Sequence, residues 1–182
     1  MKRNVLYLTG FMASGKSTVG PILANTLGWT FFDLDKEIVK KEGMKITEIF
    51  KLKGEDYFRK VEHDTLKLLS KNINVIIALG GGTVASESNF EIIKSSGLIV
   101  YLKSSPEVAY KRLKFKRDRP ALLFEEDELP TEEEFIKRIT FILEQRREFY
   151  ERADYIVNTD FLPVGKTVDK IVRLIEKRLN SN

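Results

Sequence analysis

Short apolar runs alternate with amphipathic stretches from one end of the chain to the other. The apolar runs Val5–Thr9, Thr30–Leu34, Val75–Leu79, Leu98–Leu102 and Tyr155–Val157 read as five strands. Between them, helical patterns cover Lys16–Leu27, Asp35–Lys41, Ile46–Leu52, Glu55–Ser70, Ser86–Ser95, Pro106–Phe115, Glu132–Arg152 and Val164–Leu179. This alternation is that of βα units, and it predicts an α/β protein with a parallel sheet covered by helices, in three αβα layers. In the long helix from Glu132, the residues Phe135, Ile139, Ile142 and Leu143 recur at helical spacing and form a core stripe. Trp29, Phe31 and Phe32 stand where a strand enters the core, so packing accounts for them.

One stretch breaks the rhythm. Lys114–Thr131 is crowded with charge, holds Pro120 and Pro130, and carries the acidic run Glu125, Glu126, Asp127, Glu128. A long excursion inside a compact α/β domain is usually functional, and beside a nucleotide site its natural role is a lid. The 182 residues otherwise fit one domain, 1–182, whose 42% hydrophobic residues suffice for a core. Cysteine is absent and His63 is the only histidine, which excludes a thiolate nucleophile and a zinc site of Cys or His ligands. His63 lies in a charged helical stretch and receives no role. The apolar run near the N-terminus is too short for a signal peptide, and no run approaches the roughly 18 apolar residues of a membrane span. A cytoplasmic protein without a membrane partner is expected. The net charge of +4 suits small anionic ligands and is too diffuse for nucleic acid.

The chemistry begins directly after the first strand. Gly10-Phe11-Met12-Ala13-Ser14-Gly15-Lys16-Ser17-Thr18 matches the Walker A pattern in its strand, loop and helix context. Such a loop wraps phosphate with backbone N–H groups at a helix N-terminus, and Ala13, Ser14, Gly15, Lys16, Ser17 and Thr18 are the candidate ATP ligands. Lys16 is placed to reach the β and γ phosphates, and the Ser17 hydroxyl to ligate Mg²⁺. The second strand ends in Asp33-Leu34-Asp35, whose alternation sends both carboxylates to one side. One acid can hold a metal-bound water and the other the acceptor hydroxyl; helix capping by Asp35 is the competing explanation. The third strand runs into Gly80-Gly81-Gly82, where the missing side chains let a ligand touch backbone. Arg59 and Glu62 stand one helical turn apart and can pair, which by itself describes ordinary surface decoration.

Together GFMASGKSTVG, FFDLD, YFRKVE, LGGGTV, DRPALL and RREFYERADYIV resemble the shikimate kinase family, in order and approximate spacing along nearly the whole chain. The resemblance implies a P-loop kinase fold like that of the nucleoside monophosphate kinases, with a five-stranded parallel sheet. It also implies a substrate-binding helical region at about 35–70 and a lid at about 114–131. It implies a monomer that uses ATP and Mg²⁺ to phosphorylate shikimate. On that resemblance Asp33 supports Mg²⁺ through water, and Asp35 contacts the shikimate hydroxyls as base or as orienting group. Arg59 and Arg146 hold the shikimate carboxylate, Glu62 fixes Arg59 and touches substrate, and Gly80, Gly81 and Gly82 line the pocket. Arg112 packs against adenine, and Arg119 is the lid arginine, with Arg117 as its substitute because the lid register differs by one residue. Ala13 departs from the family, which usually has glycine there. A gluconate or nucleoside monophosphate kinase would share the Walker A loop but not the glycine run combined with Arg59 and Arg146. A nucleotide-dependent switch would have no use for the paired acids.

Overall fold

The computed structural model describes residues 4–114 and 130–180. Its strands are β1 (Val5–Thr9), β2 (Thr30–Asp33), β3 (Val75–Ala78), β4 (Leu98–Lys103) and β5 (Tyr155–Asn158). They are joined by α1 (Lys16–Leu27), α2 (Leu34–Glu42), α3 (Ile46–Leu69), α4 (Glu87–Ser96), α5 (Pro106–Leu113), α6 (Glu132–Glu151) and α7 (Val164–Asn180). A 3-10 turn, Thr83–Ala85, precedes α4. All pairings are parallel, in the order β2-β3-β1-β4-β5.

Strand alternation divides the core into two layers. Val5 and Tyr7 of β1, Val75 and Ile77 of β3, and Ile99 and Tyr101 of β4 pack with α2, α3, α4 and Tyr150 of α6. Their alternates Leu6, Leu8, Ile76, Val100 and Leu102 pack with Val19 and Leu23 of α1 and Val168, Ile171 and Ile175 of α7. Each fully buried side chain of this kind contributes about 1.5–3 kcal/mol, so two covered faces make the sheet the stable frame of the molecule. A third cluster, Phe11, Ala109, Leu113, Phe135 and Ile139, joins the segment after β1 to α5 and α6. Gly20 lets α1 approach the sheet closely, since a Cβ there would collide with the ring of Phe31.

The local signals that delimit the helices are visible. Ser105 caps α5 with Pro106 at its first position, and α6 opens with a reciprocal pair between Thr131 and Glu134. Element ends shift by a residue or two from the sequence pattern, and the shifts in β2 and β3 bear on the site. β2 ends at Asp33, because the fully buried Leu34 already belongs to α2. β3 stops at Ala78, although the Leu79 N–H still donates to the Leu8 carbonyl at 2.9 Å. The expected pair of helices between Ile46 and Ser70 is present: the span Ile46–Leu69 is interrupted at Gly54, whose non-helical φ of 82° and ψ of 171° glycine adopts freely.

The topology places the site. From β1 the chain crosses to the β2 edge, and from β4 it crosses to β5, so its direction reverses around the central strand. A crevice therefore opens beyond the carboxyl end of β1, between the ends of its neighbours β3 and β4. No helix among the described residues is long and apolar enough to cross a membrane. The lid segment expected at 114–131, with Arg117 and Arg119, lies outside the described residues apart from its two ends.

Candidate active site

The loop after β1 owes its shape to unusual backbone angles. Gly10 has φ 143°, and a methyl there would stand 2.5 Å from the Leu102 carbonyl oxygen of β4. Gly15, at φ 108°, caps α1 without a side chain. Ala13 takes φ 62°, a region that disfavours any residue with a Cβ by roughly 1–2 kcal/mol. The alanine that departs from the family pattern thus occupies a position whose geometry suits glycine. Compensating bonds hold it: the Ala13 carbonyl accepts from Arg112 Nη1 at 3.1 Å and the Ser14 carbonyl from Thr159 Oγ1 at 3.2 Å. Arg112 Nη2 also donates to the Thr159 carbonyl at 2.8 Å, tying α5, the loop and the end of β5 together.

The polar side chains of the loop converge at the start of α1. Lys16 Nζ donates to the carbonyls of Gly10, at 2.7 Å, and Phe11, at 3.0 Å. Its ammonium therefore lies across the loop, where phosphate would sit. Ser17 and Thr18 are exposed on the first turn. The Ser17 hydroxyl donates to Asp33 Oδ2 at 3.1 Å, while Asp33 Oδ1 accepts from the Lys36 N–H at 3.4 Å and caps α2. Helix capping is thus performed by Asp33, not Asp35. Asp35 reaches the site from the first turn of α2, so the acids converge by a strand end and a helix start instead of by strand alternation.

The glycine run is the point on which the other candidates close. A methyl built on Gly80 would stand 2.9 Å from Asp35 Oδ1, 2.9 Å from Thr83 Oγ1 and 3.4 Å from Glu62 Oε1. On Gly81 it would stand 3.2 Å from Arg146 Nη1 and 3.9 Å from the Gly10 carbonyl, the same oxygen that binds Lys16. On Gly82 it would meet Arg146 Nη2 and Arg59 Nη1, each at 3.5 Å. Asp35, Glu62, Arg59, Arg146 and the phosphate loop thus surround one short segment of side-chain-free backbone.

Charge balance within this group is specific. Glu62 is buried, its side chain 2% exposed, and accepts from Arg59 Nη1 at 3.0 Å and Thr83 Oγ1 at 2.7 Å. Arg59, 40% exposed, also pairs with Glu55 at 3.0 Å on its outer side. Burial opposes the charge on Arg59, but Glu62 and Glu55 outweigh it and hold its pKa above the ordinary arginine value. The guanidinium is therefore a permanent cation with a nitrogen beside the glycine run. This is the opposite of a solvated surface pair, the commoner fate of such spacing.

Other residues of the site carry no sequence signal. Tyr150, buried in α6 and stacked on Tyr101 with ring centroids 4.8 Å apart, donates its hydroxyl to the Gly81 carbonyl at 2.6 Å. Burial pushes the Tyr150 phenol above its usual pKa against the opposing effect of Arg146, so it remains a donor. Thr83 and Thr159 likewise bind the two loops, and only their partners in space reveal it. His63, unassigned in the sequence pattern, is half-buried and bonded to Asn89.

A family profile described as Shikimate kinase matches residues 12–176. A shikimate kinase of Chloroherpeton thalassium is 42% identical, with 100% of this chain and 97% of that protein covered. Among solved structures, shikimate kinase from Bacteroides thetaiotaomicron has a TM-score of 0.87 at 32% identity, covering 95% of this chain and 98% of that one. The Acinetobacter baumannii shikimate kinase in complex with shikimate has a TM-score of 0.86 at 32% identity, covering 97% and 94%.

Proposed function

The chain belongs to the shikimate kinase family, and on that premise we propose how its residues carry the γ-phosphate of ATP to the 3-hydroxyl of shikimate, giving shikimate 3-phosphate and ADP. The observation that carries the reading is the approach of Arg59 and Arg146 to Gly82, beside Asp35 and Glu62 and within reach of the phosphate loop. Two guanidinium groups facing one space suit a planar carboxylate, which each can bind through parallel hydrogen bonds. The polar wall formed by Asp35, Glu62 and the glycine backbone suits a ring bearing hydroxyls.

In this reading the 13–18 loop holds the phosphates through its N–H groups, and Lys16 leaves the Gly10 and Phe11 carbonyls to bind the transferring group. Arg112 uses its edge N–H groups on Ala13 and Thr159, which leaves the flat faces of the guanidinium for adenine. The hydroxyl of Ser17 beside the Asp33 carboxylate is an all-oxygen pair that fits Mg²⁺, with Asp33 acting through water. No denser cluster of metal-binding side chains occurs among the described residues, which fits an ion carried largely by phosphate and water. When bound, Mg²⁺ supplies charge neutralisation on the phosphate oxygens. Asp35 orients the acceptor hydroxyl and takes its proton as the bond to phosphorus forms. Arg119, or Arg117 in its place, adds positive charge from the 114–131 segment, whose closure as a lid excludes water as a competing acceptor. The reading takes the protein as a monomer in the cytoplasm, whose reducing environment the absence of cysteine suits.

Replacing Asp35 with Asn tests the assignment. Turnover should fall by roughly 10²- to 10⁴-fold with ATP binding retained; undiminished turnover refutes the role. A panel of acceptors in a coupled ADP-release assay tests the substrate, and preference for a nucleotide over shikimate would favour a nucleoside monophosphate kinase.

A further inference from the structure

Behind Glu62 runs a closed path of polar contacts that the reaction itself does not require. Thr83, whose hydroxyl donates to Glu62 Oε1 at 2.7 Å, opens the 3-10 turn directly after the glycine run. Its carbonyl accepts from Asn89 Nδ2 at 3.2 Å. Asn89 is 2% exposed, near the start of α4, and its Oδ1 lies 2.9 Å from His63 Nδ1. Because the amide nitrogen faces a carbonyl, the amide oxygen is left as an acceptor, and His63 must carry its proton on Nδ1. His63 is the residue after Glu62 in α3, so the path returns to its origin through the backbone.

We propose that Asn89 and His63 are positioning residues for the acceptor carboxylate, acting through Thr83, Glu62 and then Arg59. The inference rests on the acceptor seat described above. A glutamate on a helix has several rotamers, and the one observed places Oε2 on Arg59 while Oε1 meets Thr83. The hydroxyl of Thr83 can select that rotamer only if the turn that carries it stays still. Asn89 pins the turn by its carbonyl, and His63 keeps the Asn89 amide from rotating its oxygen toward that carbonyl. Buried networks in which every member is satisfied hold geometry better than the separate bonds would, since loss of one leaves the next without its partner. No element besides α4 supplies a side chain to the Thr83 carbonyl among the described residues.

The test is steady-state kinetics with each substrate varied in turn. His63→Ala and Asn89→Leu should raise KM for shikimate about three- to tenfold, the effect of one neutral hydrogen bond, with KM for ATP changed by less than about twofold. His63→Asn should restore the shikimate KM, because its amide nitrogen takes the place of Nδ1. Thr83→Val and Glu62→Gln serve as references within the seat. Normal shikimate KM in the His63 and Asn89 variants, with a raised value in Thr83→Val, overturns the positioning role and leaves the seat intact. Normal values in all of them, Glu62→Gln included, overturn the seat and the inference with it. A parallel rise of both KM values, or no recovery with His63→Asn, marks the network as merely structural. Should Asn89→Leu fail to fold, the two His63 variants decide.

Discussion

Gly82→Ala probes the acceptor seat with little disturbance elsewhere. Gly82 has φ −106° and ψ −6°, angles open to alanine, so the backbone imposes no penalty. The added methyl would stand 3.5 Å from Arg146 Nη2 and from Arg59 Nη1, which is ordinary contact, and the protein should fold. A carboxylate gripped by both groups needs its oxygens about 2.8 Å from those same nitrogens, in the space the methyl would fill. One charge-assisted hydrogen bond contributes about 1.5–3 kcal/mol, so losing one raises KM for shikimate by about 10- to 150-fold. KM for ATP should hold, because the glycine run approaches the phosphate loop at Gly81. A useful contrast is Gly80→Ala, whose methyl would press on Asp35 Oδ1 at 2.9 Å and should lower kcat. Both are read by coupled ADP release with shikimate titrated at saturating ATP and then the reverse. A folded Gly82→Ala protein with unchanged shikimate KM would refute the idea that the two arginines share one ligand.

Other outcomes follow from the packing. Tyr150→Phe keeps the stack on Tyr101 but strips the Gly81 carbonyl of its donor, and urea unfolding should show a loss of about 1–2 kcal/mol. Gly20→Ala sets helix propensity, worth about 1 kcal/mol in favour of alanine, against overpacking of the Phe31 ring, which costs about 1–3 kcal/mol. The collision should win, giving a lower Tm. The pKa of Tyr101 is pushed by burial from 10.0 up to about 12, so the folded state keeps a proton that the unfolded chain releases near pH 10. Stability from this group is full below pH 10 and declines as pH rises toward 12. By pH 11 the loss relative to pH 9 should be roughly 1 kcal/mol, and Tyr101→Phe should reduce the slope in urea titrations at the two pH values.

The layers were legible because strand and helix periodicities are local and the sheet is buried on both faces. Val5 to Thr9 and Leu98 to Leu102 could hardly be anything but interior strands. The break at Gly54 was legible for the same local reason, since a glycine between two helical patterns takes the non-helical φ of 82° and ψ of 171° there. Asp33 lies on Ser17 and Asp35 beside Gly80, but strand alternation is not what puts them there. Period-two alternation applied to a segment where the chain had already turned helical, because Leu34 buries itself at the sheet edge as the first residue of α2.

The phosphate loop belongs to the primary structure: its glycines, Lys16 and Ser17 lie within a few residues, and local sterics together with one helix start dictate their arrangement. The acceptor seat does not. Arg59, Asn89 and the α6 pair Arg146 and Tyr150 come from three helices; taken singly they read as surface charge or core filling, and Arg59 and Arg146 stood out only through the family resemblance. Their meeting depends on which helices the sheet order brings to the carboxyl end of β3, and on desolvation there. Burial leaves each polar group only the partners that packing supplies, and that selection is made in three dimensions.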